Sequence, residues 1–196
     1  HGLDGRAGNE VLAKLARHYA TRNPIDEGKA AIWGGVVTGA LAGLKADIAS
    51  GGLTLGGGLL AGCATVGAAL VPGLRIFGVE PEAGDDHRQS RQAGHRVTIP
   101  VPRTIADGQQ TDAPGELTWP ITNALCEDFL AVTDDQIIAA MRLVWERMKI
   151  FIEPSSATTV AVALSDEFKA IEGLHNVGVV LSGGNVDLDK LPWVKV

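Results

Sequence analysis

The sequence predicts one α/β domain over residues 1–196, with a mainly parallel sheet and helices on both faces. Two observations support this prediction. Apolar, strand-like runs alternate along the chain with segments whose apolar residues recur at helical spacing, an order typical of parallel sheets. A length of 196 residues and a hydrophobic content of 45% suit one ordinary domain with a sizeable core.

Each predicted element has a local reason. Helices are expected where apolar residues share a face or a capping box starts a segment, and strands where short apolar runs follow a turn. In chain order, the elements are helices over 8–19 and 32–44, a strand over 74–80, a helix over 87–92, a strand over 96–99, a helix over 119–126, a strand over 128–132, a helix begun by the capping box of 133–136, a helix over 155–168 and a strand over 176–181. After the capping box, Ile137, Met141, Val144 and Met148 form one stripe that is expected to be core.

Composition excludes several classes of partner. The formal charge of −6 argues against nucleic acid, which calls for a basic face. Residues 48–74 are uncharged and long enough to cross a bilayer, but their glycines and Pro72 favour the buried centre of a sheet, so no membrane partner is expected. The N-terminus lacks a basic-then-apolar signal, which predicts a cytoplasmic protein. Cys63 and Cys126 lie far apart in apolar segments and are expected to be reduced thiols.

The glycine-rich segment 53–62 is the main candidate for a binding site. It lies between a short apolar run and an apolar helical segment, residues 63–70. Glycine N–H groups can approach an anion closely, and a helix N-terminus adds partial positive charge, so the segment predicts a phosphate site. Residues 56–61 match the dinucleotide pattern G-x-G-x-x-A, with the acidic Glu80 downstream. The phosphate of pyridoxal phosphate (PLP) and a plain packing turn are the alternatives, and the segment alone leaves all three open.

Three features are predicted at the carboxyl ends of strands: the glycine segment, Glu80 and Ser182. Parallel sheets bind their ligands at this edge. The sequence therefore predicts one shared site.

Five motifs follow one another along the chain. They are Gly-Gly-Gly-Leu-Leu-Ala-Gly (56–62), Gly-Val-Glu-Pro-Glu-Ala-Gly-Asp-Asp (78–86), Thr-Ile-Ala-Asp-Gly (104–108), Glu-Pro-Ser-Ser-Ala (153–157) and Ser-Gly-Gly-Asn-Val-Asp (182–187). In order and spacing they resemble the C-terminal part of the serine/threonine dehydratase and serine racemase family, PLP enzymes of the tryptophan-synthase-β type. The resemblance extends from about Gly56 to Trp193. It favours PLP over a dinucleotide and implies the fold of that family's large cofactor domain.

The resemblance assigns the cofactor phosphate to the glycine loop. In the family this loop binds the phosphate through backbone N–H groups, which here implies those of Gly56, Gly57, Gly58 and Leu59. Leu55 stands where the family usually has a further glycine. This departure predicts weaker phosphate binding.

The resemblance also implies roles for residues of the later motifs. Ser182 matches the residue that hydrogen-bonds the pyridine nitrogen, and Asp107 and Gly108 resemble the loop beside the cofactor ring. Glu153 lies near the active site in the family and is the candidate catalytic residue.

A divalent-cation site is implied as well. Glu80, the carbonyl of Gly84 and Asp86 match the cation site of the racemase-like members. Two carboxylates and a carbonyl are hard oxygen ligands that suit Mg²⁺ or Ca²⁺. A solvated acidic loop is the alternative interpretation.

One family feature is missing from the sequence. The lysine that bonds the cofactor lies, in the family, in a Ser-x-Lys-x-Arg segment followed by a Ser-x-Gly-Asn substrate loop. This sequence contains no Ser-x-Lys-x-Arg segment and therefore no substrate loop following one. We therefore expect the cofactor-domain part of an enzyme acting on a small amino acid, by β-elimination of water and deamination to a 2-oxo acid or by racemisation. The expected partner is a second copy, in a homodimer, or a complementing N-terminal segment. The alternatives are a non-catalytic binding or regulatory domain of the same fold and an NAD-dependent oxidoreductase.

Overall fold

A computed structural model describes residues 57–194 of the chain. The predicted helices over 8–19 and 32–44, and Gly56, lie outside this range. The helices and strands are α1 (Gly57–Leu70), β1 (Phe77–Pro81), α2 (Asp86–Ala93), α3 (Trp119–Leu125), β2 (Asp128–Val132), α4 (Asp134–Met148), α5 (Pro154–Leu164) and α6 (Asp166–Lys169). Short 3-10 turns cover Glu82–Gly84, Asp107–Gln109 and Leu188–Lys190.

The strands β1 and β2 are parallel neighbours, with Gly78 opposite Phe129 and Glu80 opposite Ala131. The chain between them runs through α2 and α3, the kind of long crossover that parallel strands need. This arrangement confirms the predicted α/β class.

Successive side chains of β2 alternate between the two faces of the sheet, as strand geometry requires. Leu130 and Val132 join a core with Ile137 and Met141 of α4 and Ala157 of α5. Phe129 faces the other way and stacks on His87 of α2, with ring centroids 5.0 Å apart. Helices therefore cover both faces, as predicted.

The strand β1 follows the same alternation. Phe77 and Val79 pack against the core shared with α4 and α5. Gly78 lies against Phe129, so close that an added Cβ would come within 2.2 Å of the ring. Glu80, two residues further on, consequently points toward the side occupied by α2. This places a carboxylate at the carboxyl end of a buried strand.

The capping box predicted at the start of α4 is present. The Thr133 Oγ1 accepts a hydrogen bond from the Gln136 backbone N–H (3.2 Å), and the Gln136 Oε1 accepts one from the Thr133 N–H (2.8 Å). Both bonds satisfy N–H groups that a helix start leaves free. The β2 bounds also match the prediction, 128–132.

Several predicted boundaries are wrong. The helix α1 begins at Gly57, six residues earlier than predicted, so the second half of the glycine segment is helical. The helix predicted over 155–168 ends at Leu164, because Ser165 leaves the helical conformation and caps α6 by accepting a hydrogen bond from the Phe168 N–H. Met148 was predicted to be core but is 56% exposed, since α4 ends there and its last turn leaves the core.

Two predicted strands are absent from the described part of the chain. Residues 96–99 form a loop in which the Ile99 N–H donates to the carbonyl of Asp112 (2.7 Å). Residues 176–181 are not assigned to a strand, and Val177 and Val179 are exposed. Strand assignment needs a hydrogen-bonded neighbouring strand, and the apolar pattern by itself does not supply one.

No helix within residues 57–194 is long and apolar enough to cross a membrane.

Candidate functional site

The carboxylate of Glu80 closes the N-terminus of α2. Its Oε1 accepts a hydrogen bond from the His87 N–H (2.9 Å), and its Oε2 accepts one from the Arg88 N–H (3.0 Å). The N-cap residue of α2, Asp85, makes no such side-chain bond. Glu80, at the end of strand β1, therefore caps the helix in place of a local N-cap residue. The positive end of the helix stabilises the negative charge of the Glu80 carboxylate.

Two further titratable side chains converge on Glu80. Asp86, the first residue of α2, is 2% exposed and accepts a hydrogen bond from the Thr111 hydroxyl (3.3 Å). The His87 Nδ1 lies 3.2 Å from the Glu80 Oε1 and 3.5 Å from the Asp86 Oδ1. One ligand atom from each of the three residues lies within 4.8 Å of the others. We call this group the Glu80–Asp86–His87 cluster.

Burial and proximity shift the pKa values of the cluster. Burial raises the pKa of Glu80 to about 7, against the opposing effect of the hydrogen bond with His87. Burial acts to lower the pKa of His87, but hydrogen bonds with Asp86 and Glu80 outweigh it and raise that pKa to about 9. Burial likewise acts to raise the pKa of Asp86, but its bonds with His87 and Glu80 hold the pKa below its ordinary value. The two carboxylates therefore favour the protonated, positively charged form of His87.

The predicted cation ligands are thus partly assembled. Glu80 and Asp86 lie together, and Gly84 is the buried residue of the 3-10 turn between them. Gly84 packs closely on Pro102, so that an added Cβ would come within 2.8 Å of the proline Cγ. The two carboxylates and a backbone carbonyl in the same turn fit a hard divalent cation.

Sequence reasoning missed His87. The residue follows Asp86 directly, and the run Asp-Asp-His was a usable signal, because aspartate and histidine together are common metal ligands. Its position toward Glu80 depends on the packing of α2 against β2, which a local pattern does not reveal.

A second group of predicted residues meets around the start of α5. The Glu153 Oε2 accepts a hydrogen bond from the Asn185 N–H (2.9 Å), and the Glu153 N–H donates to the carbonyl of Gly183 (3.0 Å). Gly183 lies so close that an added Cβ would come within 2.3 Å of the Glu153 Oε1. Glu153 therefore holds the segment after Ser182 in place, and a side chain at 183 would displace the Glu153 carboxylate.

Two serine hydroxyls at the start of α5 bind the segments that contain Ser182 and Gly108. The Ser156 Oγ accepts a hydrogen bond from the Ser182 N–H (3.0 Å), and the Ser155 Oγ accepts one from the Gly108 N–H (2.9 Å). The side chain of Ser182 is exposed. A cavity of about 160 Å³, lined in part by Asp107, lies where these segments meet. Three of the five motifs therefore converge at the start of α5. Of the three features predicted to share a site at the carboxyl edge of the sheet, only Ser182 belongs to this group, and residues 176–181 before it do not form a strand.

The Asp107–Gln109 turn links this group to the sheet. The Gln109 Nε2 donates to the carbonyl of Val79 (3.0 Å), and its Oε1 accepts from the Thr158 hydroxyl (2.8 Å). The turn therefore fixes the start of α5 relative to β1, one residue before Glu80.

The glycine segment is described from Gly57 onward. Gly57, Gly58 and Leu59 form the first turn of α1, which contains no acidic residue. The N–H groups of a first helical turn have no intrahelical acceptor and favour an anion. Within residues 57–194, no hydrogen bond connects Ser182 with α1.

The residues present fit PLP. A helix start with no acidic residue in its first turn suits its phosphate, and the exposed hydroxyl of Ser182 can reach a ligand. An added Cβ would come within 2.9 Å of the Ser155 Oγ at Gly108 and within 2.3 Å of the Glu153 Oε1 at Gly183, so these segments pack closely.

The chain belongs to a family described as pyridoxal-phosphate dependent enzymes, which matches residues 52–183. This membership confirms the resemblance stated above and favours PLP over a dinucleotide as the ligand of the glycine segment.

Individual relatives show which enzymes of this family the chain resembles. The chain is 44% identical over 139 residues to a serine racemase of Oryza sativa subsp. indica, covering 69% of this chain and 41% of that protein. It is 44% identical over 135 residues to an L-threo-3-hydroxyaspartate ammonia-lyase of Saccharomyces cerevisiae, covering 69% and 41%. Among solved structures, maize serine racemase matches with a TM-score of 0.66 and 43% identity, over 68% of this chain and 43% of that chain. The chain thus spans about two fifths of the length of these relatives.

Proposed function

We propose that this chain is the cofactor-domain portion of a PLP-dependent enzyme that acts on small 3-hydroxy amino acids. The observation that carries the proposal is the convergence of the segments 104–108, 153–157 and 182–187 around the start of α5, in a chain of this family. The named substrates of the relatives, serine and threo-3-hydroxyaspartate, both carry a hydroxyl on the β-carbon. The proposed reaction is β-elimination of water followed by deamination to a 2-oxo acid, with racemisation as the second activity.

Residues of this chain hold the cofactor at its phosphate and at its ring nitrogen. The N–H groups of Gly56, Gly57, Gly58 and Leu59 bind the phosphate, and the family match over 52–183 supports this assignment. The Ser182 hydroxyl hydrogen-bonds the ring nitrogen.

Around the ring, Gly108 lies on the flanking loop. When bound, PLP supplies an electron sink for bond cleavage at the substrate α-carbon. A hydroxyl at the ring nitrogen leaves that nitrogen unprotonated and so weakens the electron sink. A weaker sink suits β-elimination, because the negative charge at the α-carbon has to be stabilised only until hydroxide leaves.

Glu153 positions this part of the site. Its carboxylate is occupied by the Asn185 N–H and lies against Gly183, so its role is to fix the loop that carries Ser182. The exposed Ser182 side chain can then meet the ring in one orientation.

We also propose a divalent cation, Mg²⁺ or Ca²⁺, at Glu80, the carbonyl of Gly84 and Asp86. The burial of two neighbouring carboxylates supports it, because a cation offsets the cost of placing both in the interior. Thermal unfolding with and without MgCl₂ or CaCl₂ tests the site, since a ligand of the native state raises the midpoint. Asp86→Ala should abolish the shift, and Asp112→Ala, at an exposed position, should retain it.

Equilibrium titration with PLP, followed by absorbance, tests the cofactor assignment. Gly57→Asp should abolish binding, because its carboxylate repels the phosphate, while an acidic residue in a first turn does not itself destabilise a helix. Gly178→Asp is the matched control, since an added Cβ at Gly178 meets nothing within 4 Å. Ser182→Ala should weaken binding by about one hydrogen bond, ~1 kcal/mol. Binding of a nicotinamide dinucleotide in place of PLP would overturn the assignment.

Activity requires the lysine that the family carries in Ser-x-Lys-x-Arg, a pattern that the printed sequence lacks. A second chain that contains this segment, taken from a serine racemase, should restore deamination of serine or threonine. PLP binding without restored activity would favour the non-catalytic binding or regulatory domain. Sedimentation of the mixture distinguishes a complementing segment from a homodimer.

Two free cysteines, Cys63 and Cys126, agree with a reducing, cytoplasmic location.

A further inference from the structure

We propose that His87 is a ligand of the divalent cation through its Nδ1, and that this nitrogen makes the site prefer a transition-metal cation such as Mn²⁺ over Mg²⁺ and Ca²⁺. The inference rests on the cation site proposed above and adds a residue to it. The added residue changes which class of cation the site selects.

The distances within the cluster match those between neighbouring ligands of one metal ion. Metal–ligand bonds of about 2.1 Å at right angles place adjacent ligand atoms roughly 3.0 Å apart. The His87 Nδ1 lies 3.2 Å from the Glu80 Oε1 and 3.5 Å from the Asp86 Oδ1. The three ligand atoms lie within 4.8 Å of one another, so an inward movement of the side chains would let them share one ion.

Packing holds the imidazole in the orientation that coordination needs. One face of the ring stacks on Phe129, with centroids 5.0 Å apart, and Trp119 lies at 6.0 Å. The Nε2 is buried and has no hydrogen-bond partner among residues 57–194. Only the Nδ1 edge therefore meets polar groups, and these are the two carboxylates.

The Nε2 also sets the strength expected of the ligand. Metal-bound histidines usually donate the other ring N–H to an acceptor, which makes the ligand more basic. His87 lacks such an acceptor in the described part of the chain, so its contribution should be moderate.

Other positive charges near the cluster are engaged elsewhere. Arg88 pairs with Glu167 through its guanidinium, at 3.8 Å. Arg91 donates to the carbonyls of Asn123 and Glu127. Both arginines lie on α2, yet their guanidinium groups make contacts outside the cluster. Within residues 57–194, His87 is therefore the cationic side chain that faces the two carboxylates, and a metal ion bound in exchange for its Nδ1 proton would take over that charge.

A nitrogen ligand changes the cation preference for a chemical reason. Mg²⁺ and Ca²⁺ favour all-oxygen coordination, whereas imidazole suits first-row transition metals. On coordination, the Nδ1 lone pair forms the bond to the metal and the remaining ring proton stays on Nε2. Any proton previously on Nδ1 passes to solvent.

Calorimetric titration of the chelator-treated full chain with MnCl₂ and with MgCl₂ tests the preference. The wild type should bind Mn²⁺ more tightly, and His87→Phe, which keeps an aromatic ring over Phe129, should lower the Mn²⁺/Mg²⁺ affinity ratio by about tenfold. His95→Phe is the matched control, since His95 is exposed and, within residues 57–194, its ring hydrogen-bonds only to the Ala93 carbonyl. An unchanged ratio in a folded His87→Phe variant would overturn the role of His87.

A second measurement needs no variant. Pulsed electron paramagnetic resonance of the Mn²⁺-loaded wild type should show the ¹⁴N coupling of a directly bound nitrogen, and its absence would overturn the proposal. The variant Asp86→Ala tests the cation site of Glu80, Gly84 and Asp86 independently of His87. If the wild type binds Mg²⁺, Asp86→Ala abolishes that binding and no nitrogen coupling is seen, the oxygen site is supported and His87 is not a ligand. No binding of either cation to the wild type removes both.

Discussion

The Glu80 side chain and the His87 backbone are joined by a 2.9 Å hydrogen bond that connects the end of β1 with the first turn of α2. The same carboxylate accepts the Arg88 N–H at 3.0 Å. One side chain thus caps a helix, contributes to a buried charge cluster and lies at the carboxyl edge of the sheet. Stability and the proposed cation site therefore share a residue.

Replacing Glu80 should destabilise the fold because two helical N–H groups lose their acceptor. Glu80→Ala should lower the free energy of unfolding by about 1–2 kcal/mol, measured by urea denaturation without divalent cations. Glu82→Ala is the matched control, since Glu82 is exposed and makes no side-chain hydrogen bond or ion pair within residues 57–194. Equal effects of the two substitutions would contradict the capping role.

Gly78 should not tolerate a methyl group. An alanine Cβ would come within 2.2 Å of the Phe129 ring, which is itself held by His87, so Gly78→Ala should cost about 1–3 kcal/mol of stability. Gly178→Ala, where the space is open, should cost less. The cause can be checked with Phe129→Leu: in a double-mutant cycle the two changes should be coupled, whereas simple additivity would point to another cause.

The capping box of α4 should depend on a hydroxyl group. Thr133→Ala removes the acceptor of the Gln136 N–H and should lower the free energy of unfolding by about 1 kcal/mol. Thr133→Ser keeps the hydroxyl and should retain most of the stability in the same denaturation experiment. A serine variant as unstable as the alanine variant would argue against the cap.

The two cysteines should differ in reactivity. Burial raises the pKa of Cys126 to about 11, against a smaller opposing effect of Arg91, so little thiolate forms near pH 8. Burial also raises the pKa of Cys63, but that residue is only partly buried. Because the thiolate is the reacting form, Cys126 should react slowly with a thiol reagent at pH 8 and faster as the pH rises toward 11.

Single-cysteine variants assign the two rates. Cys126→Ser should leave the faster reaction, and Cys63→Ser the slower one. In urea the rates should become similar. A fast reaction of native Cys126 at pH 8 would contradict its burial.

The sequence by itself determined the features that depend on local pattern. It predicted β2 over 128–132 and the Thr133–Gln136 capping box, because side-chain alternation and capping act within a few residues. The order of five motifs identified the family, since order along the chain needs no structure.

Tertiary structure decided what depends on distant partners. Whether residues 176–181 form a strand depends on a hydrogen-bonded neighbour, and whether Met148 is core depends on where α4 leaves the sheet. The position of His87 beside Glu80 and Asp86 follows from the packing of α2 over Phe129. Periodicity along a chain specifies which face of an element is apolar, but only the packing of elements specifies which polar groups meet.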